Sequence, residues 1–357
     1  MKRCTFRWTI IPILLLVLGF ASEGFAQRRF EAEVGSGVAP LPYSRVGRSG
    51  WQFAKLPSSA RMASLGGIAT VLSKADANAA LTNPATISDV TNISLSGSSM
   101  NWIADITYYS GAVVKNFDQW GVFGLSINTL DYGDMVRTEN QELFGPDGET
   151  LGRTQPVIDD LGTFSGGDLA VGFNYGRRIT DRLQIGGTVK YFQETLDDAT
   201  TGNWAIDIGT YYHTGIKSLR IAMLGQNFGP DTEFTKYDEQ IQIPPSQVRM
   251  PMVFKLGAAF DLVEQSEDQP HLLTVATEFT HPNDGDEKMH VGAEYGLRNL
   301  AYLRGGYRFN YDEEGLTAGG GLNLKRDQYG ISVDYAYIEF GRLGSVHVVT
   351  VGFDFGQ

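Results

Sequence analysis

Cysteine is nearly absent from this 357-residue chain. Its single copy, Cys4, lies within a leader-like first stretch, so the remainder has no disulfides, thiol chemistry or cysteine metal sites. Long apolar runs are also lacking. The one clear run, residues 10–20, is too short for a stable transmembrane helix. Excess positive charge is missing too. The net charge is −12, and −14 without residues 1–26, which carry three basic side chains and one acidic, so nucleic-acid binding is not expected. No Gly-x-Ser-x-Gly elbow occurs, and His213, His271, His281, His290 and His347 are scattered, so neither an enzyme nor a metal site is expected.

Residues 1–26 read as a signal peptide. Lys2, Arg3 and Arg7 form a basic start, residues 10–20 an apolar centre, and Gly24-Phe25-Ala26 a small-residue cleavage site. Residues 27–50 are polar and without periodicity, a flexible lead. Residues 51–91 are rich in small residues and poor in strand character, a segment suited to plugging a lumen.

Residues 92–357 alternate apolar and polar side chains with period two. Val349, Val351, Phe353 and Phe355 share one face of the last segment, and Val348, Thr350, Gly352 and Asp354 the other. Charges fall repeatedly on the second face in mid-segment. Lys190, Asp207, Lys255, Asp261, Glu278, Glu294, Arg304, Arg308 and Asp334 are thereby candidate lumen residues of a barrel whose other face meets lipid. Fourteen strands are expected, near 92–100, 105–116, 119–130, 167–178, 182–194, 203–214, 217–229, 252–263, 270–281, 287–298, 300–310, 316–325, 328–339 and 344–355. The fold class is therefore all-β, a transmembrane antiparallel barrel with an N-terminal hatch. The location is the bacterial outer membrane, in contact with its lipid and lipopolysaccharide.

Connections alternate short and long, which assigns the short ones to the periplasm, the long ones outside, and both termini to the periplasm. The 43 glycines include many inside strands, such as Gly186-Gly187, Gly305-Gly306 and Gly319-Gly320-Gly321. They read foremost as relief of curvature, with room for a plug as the alternative. Trp102, Tyr108, Trp120, Tyr175, Trp204, Tyr302 and Tyr337 sit near strand ends and read as interfacial girdles. The acidic loop tips at 284–287 and 312–314 are either solvated or bridge calcium or lipopolysaccharide.

Ser59-Ala60-Arg61, then Leu65-Gly66-Gly67, Asp76-Ala77-Asn78-Ala79 and Asn83-Pro84-Ala85, resemble the hatch signature of FadL-like outer-membrane proteins, most nearly the PorV/PorQ family. Tyr132-Gly133-Asp134-Met135, residues 180–191, residues 205–212, Gln226-Asn227-Phe228-Gly229 and Arg304-Gly305-Gly306-Tyr307 follow in the family's order. Thr86-Ile87 departs from the small or glycine-leucine pair common among fatty-acid channels. The resemblance implies a non-enzymatic subunit without a cofactor. It would engage a type IX secretion translocon and the C-terminal sorting domains of its cargo. The alternative is a FadL-like channel for hydrophobic small molecules, for which the charged lumen counts as a poor match.

The connections at 131–166 and 230–251 exceed what hairpin closure needs, and long loops are often functional. Asp134, Met135, Phe144, Tyr237, Ile241 and Ile243 make them candidate partner loops. A lid over the mouth is the other reading. In the hatch, Arg61 is expected to pair with Glu294 or Asp334, and Asp76 is the second charge of note.

Overall fold

The computed structural model describes residues 49–72, 75–144, 146–147, 149–157, 162–233, 247–266, 268–326 and 328–356. The expected signal peptide and nearly all of the expected 27–50 lead lie outside them, as do Tyr237, Ile241 and Ile243.

Fourteen antiparallel strands close into one barrel. In chain order they are β1 (Ile93–Asn101), β2 (Thr107–Asn116), β3 (Val122–Val136), β6 (Thr163–Arg178), β7 (Leu183–Leu196), β8 (Ala199–His213), β9 (Arg220–Phe228), β12 (Val253–Val263), β13 (His271–Pro282), β14 (Lys288–Leu297), β15 (Ala301–Phe309), β16 (Leu316–Arg326), β17 (Tyr329–Glu339) and β18 (Ser345–Phe355). Two small hairpins stand apart, β4 (Glu139–Phe144) with β5 (Thr150–Val157), and β10 (Thr232–Glu233) with β11 (Gln247–Val248). β1 pairs with β18 from Ile93↔Phe355 to Asn101↔His347, which leaves no free edge.

Alternation decides which side of the wall each residue faces. On β18, Val346, Val348 and Thr350 are buried inward, while Val349 and Phe353 point out. Leu125, Ile127, Phe173, Ile208, Leu303 and Leu324 are likewise exposed, and together they form an apolar belt of the kind lipid covers. No described helix is long and apolar enough to cross a membrane. The closed wall satisfies the backbone by pairing between strands, as spanning a bilayer requires. The chain is an outer-membrane barrel.

Strands overrun the expected boundaries at the end that carries the long connections. β3 continues to Val136 and β6 begins at Thr163, and the hairpin β4–β5 occupies part of what read as one long loop. The expected loop at 195–202 is strand almost throughout, reversing at Asp197–Asp198 with Asp197 in the left-handed region (φ 54°). At the opposite end Arg298 and Asn299 both have φ 54°, the two-residue geometry that matches strand twist.

Residues 49–90 fill the lumen. They comprise short 3-10 turns at Gln52–Lys55, Ala77–Leu81 and Pro84–Asp89, and one helix, α1 (Ala60–Ser64). Asp89 and Val90 sit at the periplasmic end, bonded to Arg178, Gln184 and Asn116. Ser49 and Gly50 sit at the outer end against Arg249. The hatch therefore runs the length of the barrel, with Ser49 at the end that carries the long connections and Val90 at the end that carries the short ones.

Candidate functional site

The hatch is fastened by its backbone and by buried charge. Ser59 caps α1, its hydroxyl accepting from Met62 N at 3.3 Å, and Ala60 N donates to Thr350 Oγ1 at 2.8 Å. Arg61 reaches Glu294 with both Nε (3.0 Å) and Nη2 (2.8 Å). Glu294 also accepts from Arg304, whose other arm holds Asp334, both at 2.6 Å. Arg61 thus takes one of its two expected partners, and Asp334 joins through Arg304. Pairing of this kind limits the large cost of burying charge.

Gly66 and Gly67 turn the chain with φ +74° and +88°, as residues without a Cβ can. Gly66 N donates to Thr317 Oγ1, and its carbonyl accepts from His290 Nδ1. Glu278, fully buried, accepts through one oxygen from Ala69 N, Thr70 N and the Thr70 hydroxyl at 2.8–2.9 Å. Asp76 caps the turn at Asn78. Asn83 bonds Thr70 O and Thr210 O and caps Ala85, with Pro84 opening the last turn.

The wall makes room for these backbones with glycine. A Cβ on Gly186 would overlap Pro84, one on Gly209 would overlap Asn83, and one on Gly306 would overlap Gly66 N. At Gly176 a Cβ would lie 2.6 Å from Pro84 O, and at Gly292 2.8 Å from Leu65 O. Their neighbours Gly187, Gly305 and Gly320 are roomier and point outward. The inward glycines are docking surface for the plug, which corrects the curvature reading for that half of each pair.

All the expected lumen charges face inward and are mostly compensated. Lys190 pairs with Asp207, Arg220 with Asp261, and Arg308 with Glu314. Lys255 stands 3.9 Å from Glu278. Girdle assignments hold for Trp120 and Trp204, which are exposed. They fail for Tyr108 and Tyr302, which are buried inward, and for Trp102, which packs edge-on against Phe340 at 4.8 Å. His271 and His347 lie outside, bonded to Tyr295 and Tyr335. Among the described residues no group of three or more His, Cys, Asp or Glu side chains is arranged to hold a metal. Asp134 and Phe144 are exposed in the outer region and Met135 is half-buried.

The plug divides the remaining space. An outer cavity of about 900 Å³ is floored by Trp51, Phe53, Leu56 and Met62 and walled in part by Trp102, Ile106, Leu130 and Tyr132. Its opposite wall carries Lys55, Lys288, Arg308 and Tyr311, with acidic neighbours. An inner cavity of about 420 Å³ is polar and includes Arg61, Asp76, Asp261, Glu294 and Asp334. Between them the hatch leaves a gap of only about 20 Å³, touched by both Met62 and Arg61. The outer floor is pinned by Asp284, which receives Lys55 Nζ and Gln52 Nε2 (2.8 Å). Burial alone would push the Asp284 pKa up, but these two donors outweigh it and hold it below the usual carboxylate range.

Sequence reasoning missed Asp168, Glu194 and Tyr132 as lumen groups on the outer wall, and Asp284 and Lys55 as an anchor. Asp168 shares parity with Asn174, and Glu194 with Lys190, so extending the alternation finds the first two. Tyr132 follows a slip in the β3–β6 register between Asp131 and Asp134, which parity does not foresee.

No protein-family profile matches the chain, and no curated protein sequence matches it. Solved structures do. The toluene transporter TodX of Pseudomonas putida aligns with TM-score 0.52 at 12% identity over 83% of this chain and 96% of that one. The toluene transporter TbuX of Ralstonia pickettii gives 0.51 at 13% identity, over 86% and 100%. A FadL homologue of Pseudomonas aeruginosa gives 0.53 at 9% identity, over 84% and 98%. At these identities the likeness is one of fold, and the fold is FadL-like.

Proposed function

We propose that this protein is a non-enzymatic channel admitting hydrophobic small molecules across the outer membrane. The observation that carries the reading is the outer cavity of about 900 Å³, open toward the long loops and floored by the apolar start of a plug that closes the lumen below. Such a site captures an apolar solute by removing its surface from water. The lumen charges read from the sequence as counting against an apolar cargo mostly lie deeper and are largely taken up by one another and by the hatch, while Trp51, Phe53, Leu56 and Met62 give the outer floor its apolar surface. Structures of the same fold include toluene transporters, which favours this chemistry.

Uptake of radiolabelled toluene by cells producing the protein tests the reading, with arabinose as the polar control. Faster uptake of toluene alone is expected. Equal acceleration of both solutes, or of neither, would reject it.

The second reading, a PorV/PorQ-like role beside a type IX translocon or its cargo, keeps one supporting observation. The hairpin β4–β5 stands outside the barrel sheet with Phe144 exposed at its turn. Its check is affinity capture from detergent-solubilised native outer membranes. A large translocon or cargo sharing a C-terminal sorting domain would support it, and recovery of the barrel alone would count against it.

A further inference from the structure

One wall of the outer cavity carries charge that no described base balances. Asp168 on β6 and Glu194 on β7 lie directly opposite in register, both turned into the lumen. Like charges so placed repel. Deeper in the lumen, Asp207, Asp261, Glu278, Glu294 and Asp334 each face a lysine or arginine. Neither Asp168 nor Glu194 forms an ion pair with a described base.

A second observation points to a missing donor. Asp168 is 3% exposed, and its Oδ1 has no hydrogen-bond partner among the described residues. Its Oδ2 accepts from the Tyr132 hydroxyl at 2.7 Å. Tyr132 reaches it because the β3 bulge leaves Tyr132 and Gly133 unpaired, with Gly133 at φ +69°. Bulges of this kind re-aim side chains. Next to the acids, Phe192 packs against Trp51 (centroids 6.5 Å apart) and Phe53 (5.9 Å).

We propose that this acidic, aromatic corner binds the ammonium head of an amphiphilic amine arriving from outside. Ionised carboxylates only accept hydrogen bonds, and an ammonium supplies three donors and one positive charge. Aromatic faces favour such a cation over water. The amine's apolar body lies along Leu130 and Trp102, on the same wall. Two carboxylates and a phenol fall short of the six to eight oxygens that calcium takes. The inference rests on the outer cavity being the receiving site of the proposed channel, and it narrows what that site selects.

The test uses the full-length protein in detergent, with folding verified by heat-modifiable gel migration. Three probes of matched size are titrated calorimetrically near neutral pH: 2-phenylethylammonium, 2-phenylethanol and 3-phenylpropanoate. The amine is expected to saturate one site at least tenfold more tightly than the alcohol, with the carboxylate weakest. Asp168→Asn with Glu194→Gln is expected to abolish that preference, while Tyr132→Phe, which keeps both charges, retains it. If the double variant does not fold, Glu194→Gln alone is read, and an unchanged preference in it overturns the proposal. Equal binding of amine and alcohol overturns this inference and leaves hydrophobic uptake standing. Saturable binding of none of the three overturns it too, and toluene uptake then decides the broader reading separately.

Discussion

Arg61 is the residue on which the seal between the two cavities turns. It lines the narrow void and the inner cavity at once, and its guanidinium ends on Glu294. Replacing it by alanine takes one of two guanidinium groups away from Glu294 and leaves it that of Arg304, which Asp334 shares. Leaving a buried charge wholly unpaired costs about 3–5 kcal/mol, and with Arg304 still in place the loss here is smaller than that. The expected outcome for Arg61→Ala is a lower thermal transition of the folded barrel together with higher single-channel conductance in planar bilayers. Wild-type values for both would remove Arg61 from the seal.

At the outer floor the controlling residue is Asp284. Its pKa is held down in the folded chain, so the attachment it provides is complete above the ordinary carboxylate range. That contribution is lost as pH falls through the depressed value. Trp51 fluorescence is therefore expected to stay constant from neutral pH down into the ordinary carboxylate range and to change only below it, with the barrel still folded. Asp284→Asn is expected to show the loosened signal at every pH.

At the scale of elements, each strand presents one row to lipid and one to the plug, and glycine pairs expose the difference. Gly306→Ala drives a methyl into the hatch backbone at Gly66, whereas a methyl on Gly305 has its nearest neighbour, Thr317 O, at 3.9 Å. Overpacking a well-filled site costs about 1–3 kcal/mol. Gly306→Ala is thus expected to lower the barrel's melting temperature or release the hatch to protease, and Gly305→Ala to do neither. The fourteen strands were legible because period-two alternation survives wherever lipid and lumen impose opposite demands. Lys190, Asp207 and Glu294 could be assigned inward on that basis alone. Alternation carries no information about what lies across the lumen. Parity with Lys190 turns Gly186 inward, but nothing in the sequence tells that Pro84 lies against it, and nothing in Tyr108 tells that a plug rather than headgroups covers its ring. Aromatic residues near strand ends serve both purposes, so the girdle rule misplaced Tyr108 and Tyr302. Asp284 escaped notice because a loop acid reads as solvated until a lysine 229 positions earlier is folded onto it.

The barrel is a cylinder whose contents, residues 49–90, are part of its own chain. Residues 49–90 bring Trp51, Phe53, Leu65, Ile68 and Ile87 into the interior that the wall encloses. Deleting residues 51–90 while keeping residues 1–50 is expected to yield a barrel that still reaches the outer membrane but conducts ions continuously. Conductance indistinguishable from the full chain would mean the outer loops, not the hatch, close the lumen.

The seam where β1 meets β18 has a bearing on biogenesis. Thr350 Oγ1 on β18 accepts from Ala60 N and shares a hydrogen bond with Ser98 Oγ of β1, and Ser94 Oγ of β1 accepts from Ala77 N. The hatch therefore touches both banks of the last gap to be joined. A segment reaching from one mouth to the other cannot be threaded through a finished cylinder at little cost, so insertion precedes closure. The hatch then serves as a mould on which the two terminal strands find their register, and Thr350→Val is expected to slow closure, measured as the rate at which the heat-modifiable form appears.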